Sequence, residues 1–115
     1  MINIICSIEF FMQSTDRNRW INEDGIQLYV RKSKRSINNQ IIDFLDIASI
    51  NIKDKNKGKF QSLLKLLMGK YENIYVESIL NPILCHILDK YGFSYKSYEG
   101  STNGQFLMCD MYFIR

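Results

Sequence analysis

The sequence lacks the patterns on which metal sites, disulfide frameworks and membrane spans depend. It has a single histidine, His86, and three cysteines that form no Cys-x-x-Cys pair, so no zinc site at motif spacing is expected. The odd number of widely spaced cysteines favours reduced, buried thiols over a disulfide framework. No apolar run approaches the roughly 18 residues of a membrane-spanning helix. These absences predict a protein that binds no metal and does not enter a membrane.

Proline and glycine are also scarce, with one and six copies in 115 residues, and no linker or low-complexity tract stands out. The chain is 46% hydrophobic and 23% charged, whereas a disordered chain would be less apolar and more charged. We therefore expect one ordered domain over residues 1–115, with a variable N-terminal segment (1–25) and a core (26–115). The first residues show no basic leader or cleavage site, which predicts a cytoplasmic protein.

Positive charge is only slightly in excess, at +3, and it is concentrated in two clusters at residues 31–35 and 53–59. The ordinary interpretation of the first cluster is a solvated loop. Nucleic-acid binding through both clusters, with Trp20 or Tyr29 stacking on bases, is an alternative. It would explain the charge but not the order of strand, turn and helix at the second cluster, so nucleic acid is an unlikely partner.

Apolar periodicity gives the fold class. Strands are predicted at Ile26–Arg31, Ile41–Ile52 and Ile74–Leu80, followed by a hairpin of Phe93–Tyr98 and Phe106–Ile114. The second of these strands is apolar on both faces, as in the middle of a sheet that is covered on both sides. The first residues, from Ile2 to Met12, fit a helix or a strand, and a polar turn is expected from Ser36 to Asn39.

Two helices are predicted between these strands, from Phe60 to Lys70 and from Pro82 to Tyr91. Asn81 suits an N-cap, Pro82 suits the first helical position, and Gly92 suits the residue after the helix. The resulting class is α/β (α+β), with a mixed, mostly antiparallel sheet flanked by helices. An exposed last strand would allow pairing with a second copy, so a homodimer is a candidate assembly.

The segment from Ile50 to Phe60 joins the central strand to a helix through a lysine-rich turn that contains Gly58. Backbone N–H groups in such a turn point inward, and the helix adds the positive end of its dipole. Gly58 would let the backbone approach a phosphate closely, and the lysines add charge. This pattern predicts an anion-binding turn.

The same segment resembles the cofactor-binding motif of the GNAT superfamily of N-acetyltransferases. In that motif, a strand ending in Val is followed five residues later by Arg/Gln-x-x-Gly-x-Gly/Ala. Ile50 stands at the Val position, Lys55 at the Arg or Gln, Gly58 at the first Gly and Phe60 at the second.

A second stretch, Tyr75–Pro82 followed by Lys90–Phe93, resembles the next conserved block of that superfamily, in the form found in short phage-type members. The richness of the chain in Ile, Asn and Lys also hints at a phage genome. The resemblance covers residues 41–115 and implies a GNAT-like fold.

The resemblance implies acetyl-CoA as the cofactor and an amine of a protein, peptide or small molecule as the acceptor. The turn backbone would hold the pyrophosphate, the central strand edge would pair with the pantetheine arm, and splayed strands would admit the thioester. The residues given a cofactor-binding role in this way are Ile50, Ile52, Lys55, Asn56, Lys57, Gly58, Lys59, Phe60 and Asn81.

Direct acetyl transfer also needs a base and an acid. Glu77 and then Asp46 are the candidate bases, since a carboxylate in an apolar strand is costly to bury unpaired. Leu88 occupies the position of the superfamily's usual Tyr acid. Tyr91 and Cys85 lie one turn to either side of Leu88 and are candidate substitutes, unless Tyr91 packs in the core and Cys85 is an inert thiol.

Two functions therefore remain open for the sequence. The chain is either an acetyl-CoA-dependent N-acetyltransferase or a catalytically inactive binding protein that kept the fold and acts through protein or nucleic-acid contacts. The departures at Leu88 and Phe60 favour the second function, and the two matched blocks favour the first.

Overall fold

The computed structural model describes residues 1–53 and 58–115. Within these residues, helices and strands follow one another along the chain as α1 (Ile2–Gln13), β1 (Asn18–Glu23), β2 (Ile26–Ile37), β3 (Gln40–Ile52), α2 (Lys59–Lys70), β4 (Asn73–Ile79), α3 (Pro82–Lys90), β5 (Ser94–Gly100) and β6 (Phe106–Ile114). In this part of the chain, no helix is long and apolar enough to cross a membrane.

The strands form one open sheet in the order β1-β2-β3-β4-β6-β5. The last strand, β6, is paired with β4 and with β5, so the expectation that it is exposed for pairing with a second copy is wrong. Neighbouring strands are antiparallel except β3 and β4, which are parallel and are connected through α2. The predicted α+β class with a mixed, mostly antiparallel sheet is therefore confirmed.

The N-terminal segment contains helix α1 and strand β1. Ile4, Ile8 and Phe11 are buried along one side of α1, so the helical alternative for this segment is correct. Strand β1 was not predicted, and it forms a hairpin with β2 across Asp24 and Gly25, both of which have positive φ angles. Strand β2 continues to Ile37, so the polar turn expected from Ser36 contains only residues 38 and 39.

Helix α3 begins and ends as predicted. The side-chain oxygen of Asn81 accepts a hydrogen bond from the Ile83 backbone N–H at 2.9 Å, and Pro82 occupies the first helical position. Gly92 follows the helix with a φ angle of 95°, a left-handed conformation in which a side chain would be strained. These local signals are sufficient to fix both ends of the helix.

The helices cover one face of the sheet. Buried side chains of α1, α2 and α3 belong to one apolar cluster, together with the alternate strand residues that face them, such as Leu28, Leu45 and Ile74. The opposite face, called here the open face, carries a small cluster of Ile37, Phe44 and Tyr75. The expectation that β3 is covered on both sides is therefore wrong, because no described helix lies over the open face.

Candidate functional site

The parallel strands β3 and β4 remain paired over a short distance. Their register runs from Leu45 opposite Ile74 to Ile47 opposite Val76, and no further pair follows among the described residues. The pairing ends at a β-bulge in β3, where Ala48 is the extra residue relative to β2. A bulge bends its strand and increases the local twist, which turns the end of β3 away from β4.

Strand β4 has an irregularity at the same level. Ser78 has a φ angle of 54°, and its backbone N–H donates a hydrogen bond of 2.8 Å to Asp110 on β6. The other Asp110 oxygen accepts from the Tyr75 hydroxyl at 2.6 Å. Burial, reinforced by this bond to Asp110, raises the pKa of Tyr75, so the phenol remains a donor at neutral pH. Asp110 thus holds β4 in the shape that leaves a gap beside β3.

Two adjoining cavities lie at the gap. A cavity of about 380 Å³ lies between the ends of β3 and β4, and an adjoining cavity of about 440 Å³ lies among the end of β3 and the starts of α2 and α3. The two cavities share Ile50, Asn81 and Leu84 in their walls. We call these two adjoining cavities together the strand-gap cleft. It brings together four of the predicted cofactor-binding residues: Ile50, Ile52, Phe60 and Asn81.

Two helix N-termini border the strand-gap cleft. Gly58 is the N-cap of α2, with a φ angle of 65° and no side-chain cap, and Phe60 and Gln61 of the first turn line the cleft. Neither α2 nor α3 has an acidic residue in its first turn. In α3, Asn81 already accepts the Ile83 N–H and Pro82 has no N–H, so the N–H groups suited to an anion are those of the uncapped first turn of α2.

Most of the predicted lysine-rich turn, including Lys55, Asn56 and Lys57, falls outside the described residues. Lys59 is described, and its ammonium group donates to the Asp24 backbone carbonyl at 3.2 Å, beside the β1–β2 turn. The Lys59 side chain is therefore directed away from the cleft, although its backbone belongs to the first turn of α2.

The two carboxylates that the sequence offered as bases lie together on the open face beside the gap. Glu77 lines the cleft, whereas Asp46 is 0% exposed and pairs with Arg35 at 2.7 Å. Arg35 also reaches the second Glu77 oxygen at 2.6 Å, and Arg31 pairs with the first. The Arg35 guanidinium lies 3.7 Å from the centre of the Tyr75 ring. Two arginines and two carboxylates thus form a partly buried network with equal numbers of positive and negative charges.

The network changes the acidity of Glu77. Burial raises its pKa, and the neighbouring charge of Asp46 together with a hydrogen bond to it raises it further. Arg31 and Arg35 act in the opposite direction. The pKa remains raised, which brings the carboxylate closer to the basicity required for accepting a proton at neutral pH.

The candidate acids are not part of the cleft. Tyr91 is the C-cap of α3, at the other end of the helix from Asn81, and packs against the main core. Leu88 is 0% exposed, and the Cys85 sulfur lies 2.6 Å from that of Cys109. Cys85 and Cys109 are buried as expected, whereas Cys6 is exposed. Among the described residues that line the cleft, none is a tyrosine or a cysteine.

The arginines were the main residues that the sequence interpretation missed. The cluster at residues 31–35 lies on strand β2 and not in a solvated loop, so that expectation is wrong. Arg31 and Arg35 are four residues apart, and alternate residues of a strand share a face, which directs both toward the carboxylates. The spacing of four residues would have predicted this shared face if the predicted strand had continued beyond Arg31.

A larger cavity, of about 730 Å³, lies at the opposite end of the sheet near Tyr71. Its basic residues are mainly engaged by other groups: Lys34 pairs with Asp43, Lys70 pairs with Glu9, and Lys32 donates to the Ser14 carbonyl. It borders no helix N-terminus and includes neither Glu77 nor Asp46. Size alone therefore does not make it the better candidate.

The fold and the cleft define an α+β domain with an open six-stranded sheet and a cleft at its parallel strand pair. No family model, curated protein or solved structure matches the chain. The function is therefore inferred from the geometry of the site.

Proposed function

We propose that this protein is an acyl-CoA-dependent N-acyltransferase of the GNAT type, which binds acetyl-CoA in the strand-gap cleft and transfers the acetyl group to an amine. The observation that carries the proposal is the parallel pair β3 and β4, which separates beyond Ile47 and Val76 into a cleft bordered by two helix N-termini. The sequence resemblance requires this combination of a strand gap and an anion site.

The cleft has suitable surfaces for the parts of the cofactor. The pyrophosphate would lie at the start of α2, against the N–H groups after Gly58. The pantetheine arm would run along β3, whose residues from Ile50 to Ile52 pair with β2 on one side and face the cleft on the other. Such an arm pairs with a strand edge as an added strand would. Leu80 and Ile83, 67% and 68% exposed, supply apolar contact beside it.

The chemistry would occur in the gap. The amine nitrogen attacks the thioester carbonyl, its proton passes to Glu77, and the carbon–sulfur bond breaks to release the CoA thiolate. A free thiol has a pKa of about 8.5, so the departing thiolate can take its proton from water. Glu77 approaches from the open face, while the phosphate end of the cofactor lies on the helix face. The donor and the acceptor would therefore meet from opposite sides of the sheet.

A catalytically inactive binding protein is the second candidate. Two observations favour it: Leu88 is buried in the core where the superfamily has its acid, and Glu77 is engaged by Arg31 and Arg35. This protein would bind the same cofactor without turnover. Binding and transfer therefore have to be measured separately.

The first experiment measures the thermal midpoint with and without millimolar acetyl-CoA. A ligand at 100 times its Kd stabilises the folded state by about 2.7 kcal/mol, which corresponds to a shift of several degrees. Gly58→Asp should abolish the shift by placing a carboxylate at the phosphate site. Gly58→Asn has a similar shape and the same backbone strain without the charge, and it should retain most of the shift.

A second matched pair tests the position of the ligand along the cleft. Ile83→Glu introduces a negative charge at an exposed cleft position and should weaken binding, whereas His86→Glu adds the same charge at an exposed position of α3 outside the cleft. No shift with the unmodified protein, or equal loss in both variants, would contradict the cofactor site. A shift without CoA release from any amine tested would favour the inactive binding protein.

A further inference from the structure

Two buried thiols lie in contact outside the proposed chemistry. Cys85 is in α3 and Cys109 is in β6, and their sulfur atoms are 2.6 Å apart. The residues are 3% and 1% exposed. A disulfide bond has a sulfur–sulfur distance of about 2.05 Å, so the two sulfurs need to approach by only a fraction of an ångström to be linked.

The surroundings keep both groups as thiols at neutral pH. Burial raises the pKa of Cys85, and burial together with the neighbouring Cys85 raises the pKa of Cys109 to about 12. One thiol therefore donates a hydrogen bond to the other sulfur. The low thiolate fraction makes attack on an oxidant slow, but the contact gives the second step, between the two sulfurs, a high effective concentration.

The pair lies close to the edge of the sheet. Tyr98 on the edge strand β5 is directly opposite Cys109, and Tyr95 and Tyr98 contact each other with ring centres 5.8 Å apart. Both tyrosines are about half exposed. Because directly paired residues of neighbouring strands lie on the same face, Tyr98 lies beside Cys109, and the pair is one strand from the edge of the sheet.

We propose that Cys85 and Cys109 are a site of oxidative modification and form an intramolecular disulfide on reaction with hydrogen peroxide. One thiolate attacks the peroxide, which breaks the oxygen–oxygen bond and gives a sulfenic acid and hydroxide. The second thiol then attacks the sulfenic sulfur, and water leaves. Overall, two thiols and one peroxide give one disulfide and two waters, with the thiols oxidised and the peroxide reduced.

The disulfide would tie the first turns of α3 to β6. Cys85 follows Leu84, which lines the strand-gap cleft, and lies one turn after Asn81, which lines it too. Oxidation would therefore fix the helix start that forms one wall of the cleft. The linked residues are 24 positions apart, so the bond also restricts the unfolded chain.

The test uses a Cys6→Ser background, because Cys6 is exposed and would react with peroxide on its own account. The protein is treated with hydrogen peroxide, unfolded, alkylated and measured by intact mass. The expected result is a loss of about 2 Da, no alkylation, and a Cys85–Cys109 linked peptide that disappears after reduction. The thermal midpoint should rise by on the order of 10 °C and return after reduction.

Two free thiols after treatment, addition of oxygen to either cysteine, or a linkage between chains would overturn the proposal. Cys109→Ser should lose the midpoint shift, whereas the mass measurement needs no substitution at the pair and remains informative if that variant does not fold. Because none of these measurements uses a CoA ligand, the outcome is independent of the proposed function.

Discussion

Replacing Arg35 with methionine should destabilise the protein strongly, and the structure indicates why. Asp46 is 0% exposed, and among the described residues Arg35 is the cation within hydrogen-bond distance of it. Arg35→Met would leave that carboxylate buried without a cationic partner. Removing one partner of a buried pair costs roughly 3–5 kcal/mol, and loss of the contact with the Tyr75 ring adds about 0.5–2 kcal/mol.

Substitution of the other partner, Asp46, should cost less. In Asp46→Leu, the Arg35 guanidinium keeps its bond of 2.6 Å to Glu77, so no unpaired charge remains buried. We expect a loss of about 1–3 kcal/mol, mostly from the altered hydrogen bonds. The double variant places two apolar side chains beside Phe44 and Tyr75, and such replacements of buried ion pairs are often nearly neutral. Its cost should therefore fall well below the sum of the single variants.

Urea unfolding of the four proteins at pH 7 measures this coupling. Total stability of a domain is about 5–15 kcal/mol, so Arg35→Met would consume a large share of it. If that variant is too unstable to measure, Arg35→Lys keeps a charge near Asp46 and should lie between it and the unmodified protein. Additive costs in the double variant, or a loss under about 1 kcal/mol in Arg35→Met, would refute the assignment of a coupled buried pair.

Two further predictions concern Glu77 and Asn81. The folded-state pKa of Glu77 is raised above its ordinary value of 4.5, so the folded state holds the Glu77 proton more tightly than the unfolded state. The stability that this provides is fully present below pH 4.5 and is lost as pH rises through the folded-state pKa. Glu77→Gln should remove that component of the pH dependence, and an unchanged profile in thermal unfolding would contradict it. Asn81→Ala should cost about 1 kcal/mol through loss of the helix cap, whereas Asn81→Asp should retain the cap and, because it adds a negative charge to the cleft, weaken acetyl-CoA binding. Equal midpoints for the two Asn81 variants without ligand would argue against capping.

Much of the fold could be predicted because its signals are local. Asn81 and Pro82 define the start of α3 through one hydrogen bond and one fixed φ angle, and Gly92 defines its end. Strand β3 was recognised from its apolar run within one residue of its observed bounds. These features depend on neighbours in sequence, so single-sequence reasoning can detect them.

Strand β1 was missed because its stabilising contacts are not local. Ile21 is the buried residue of the strand, and Trp20 on the other face is 58% exposed and packs on Tyr29 of β2. A six-residue strand with one buried side chain has little alternation to recognise. The segment is recognised as a strand only from its pairing with β2, and this pairing is not visible in the sequence.

The network of Arg31, Arg35, Asp46 and Glu77 was not predicted for the same reason, since its contacts are not local. The hydrogen bond between Arg31 and Glu77 joins residues 46 positions apart, and that between Arg35 and Asp46 joins residues 11 positions apart. Sequence reasoning could mark each carboxylate as costly to bury alone. It could not supply the arginines, because Arg35 lies beyond the predicted end of β2 and the contacts require the observed registers of β2, β3 and β4.

The position of Glu77 in this network links stability to the proposed chemistry. Asp46 makes Glu77 a stronger base, whereas Arg31 and Arg35 make it a weaker one. Arg35 also neutralises Asp46, so removal of Arg35 both destabilises the fold and leaves Glu77 beside an unpaired negative charge. Arg35→Lys retains the charge with a less specific geometry. If Glu77 is the base, the pH at which amine acetylation begins should change in Arg35→Lys together with the pH dependence of stability. A change in stability alone would mean that the network stabilises the fold and takes no part in the reaction.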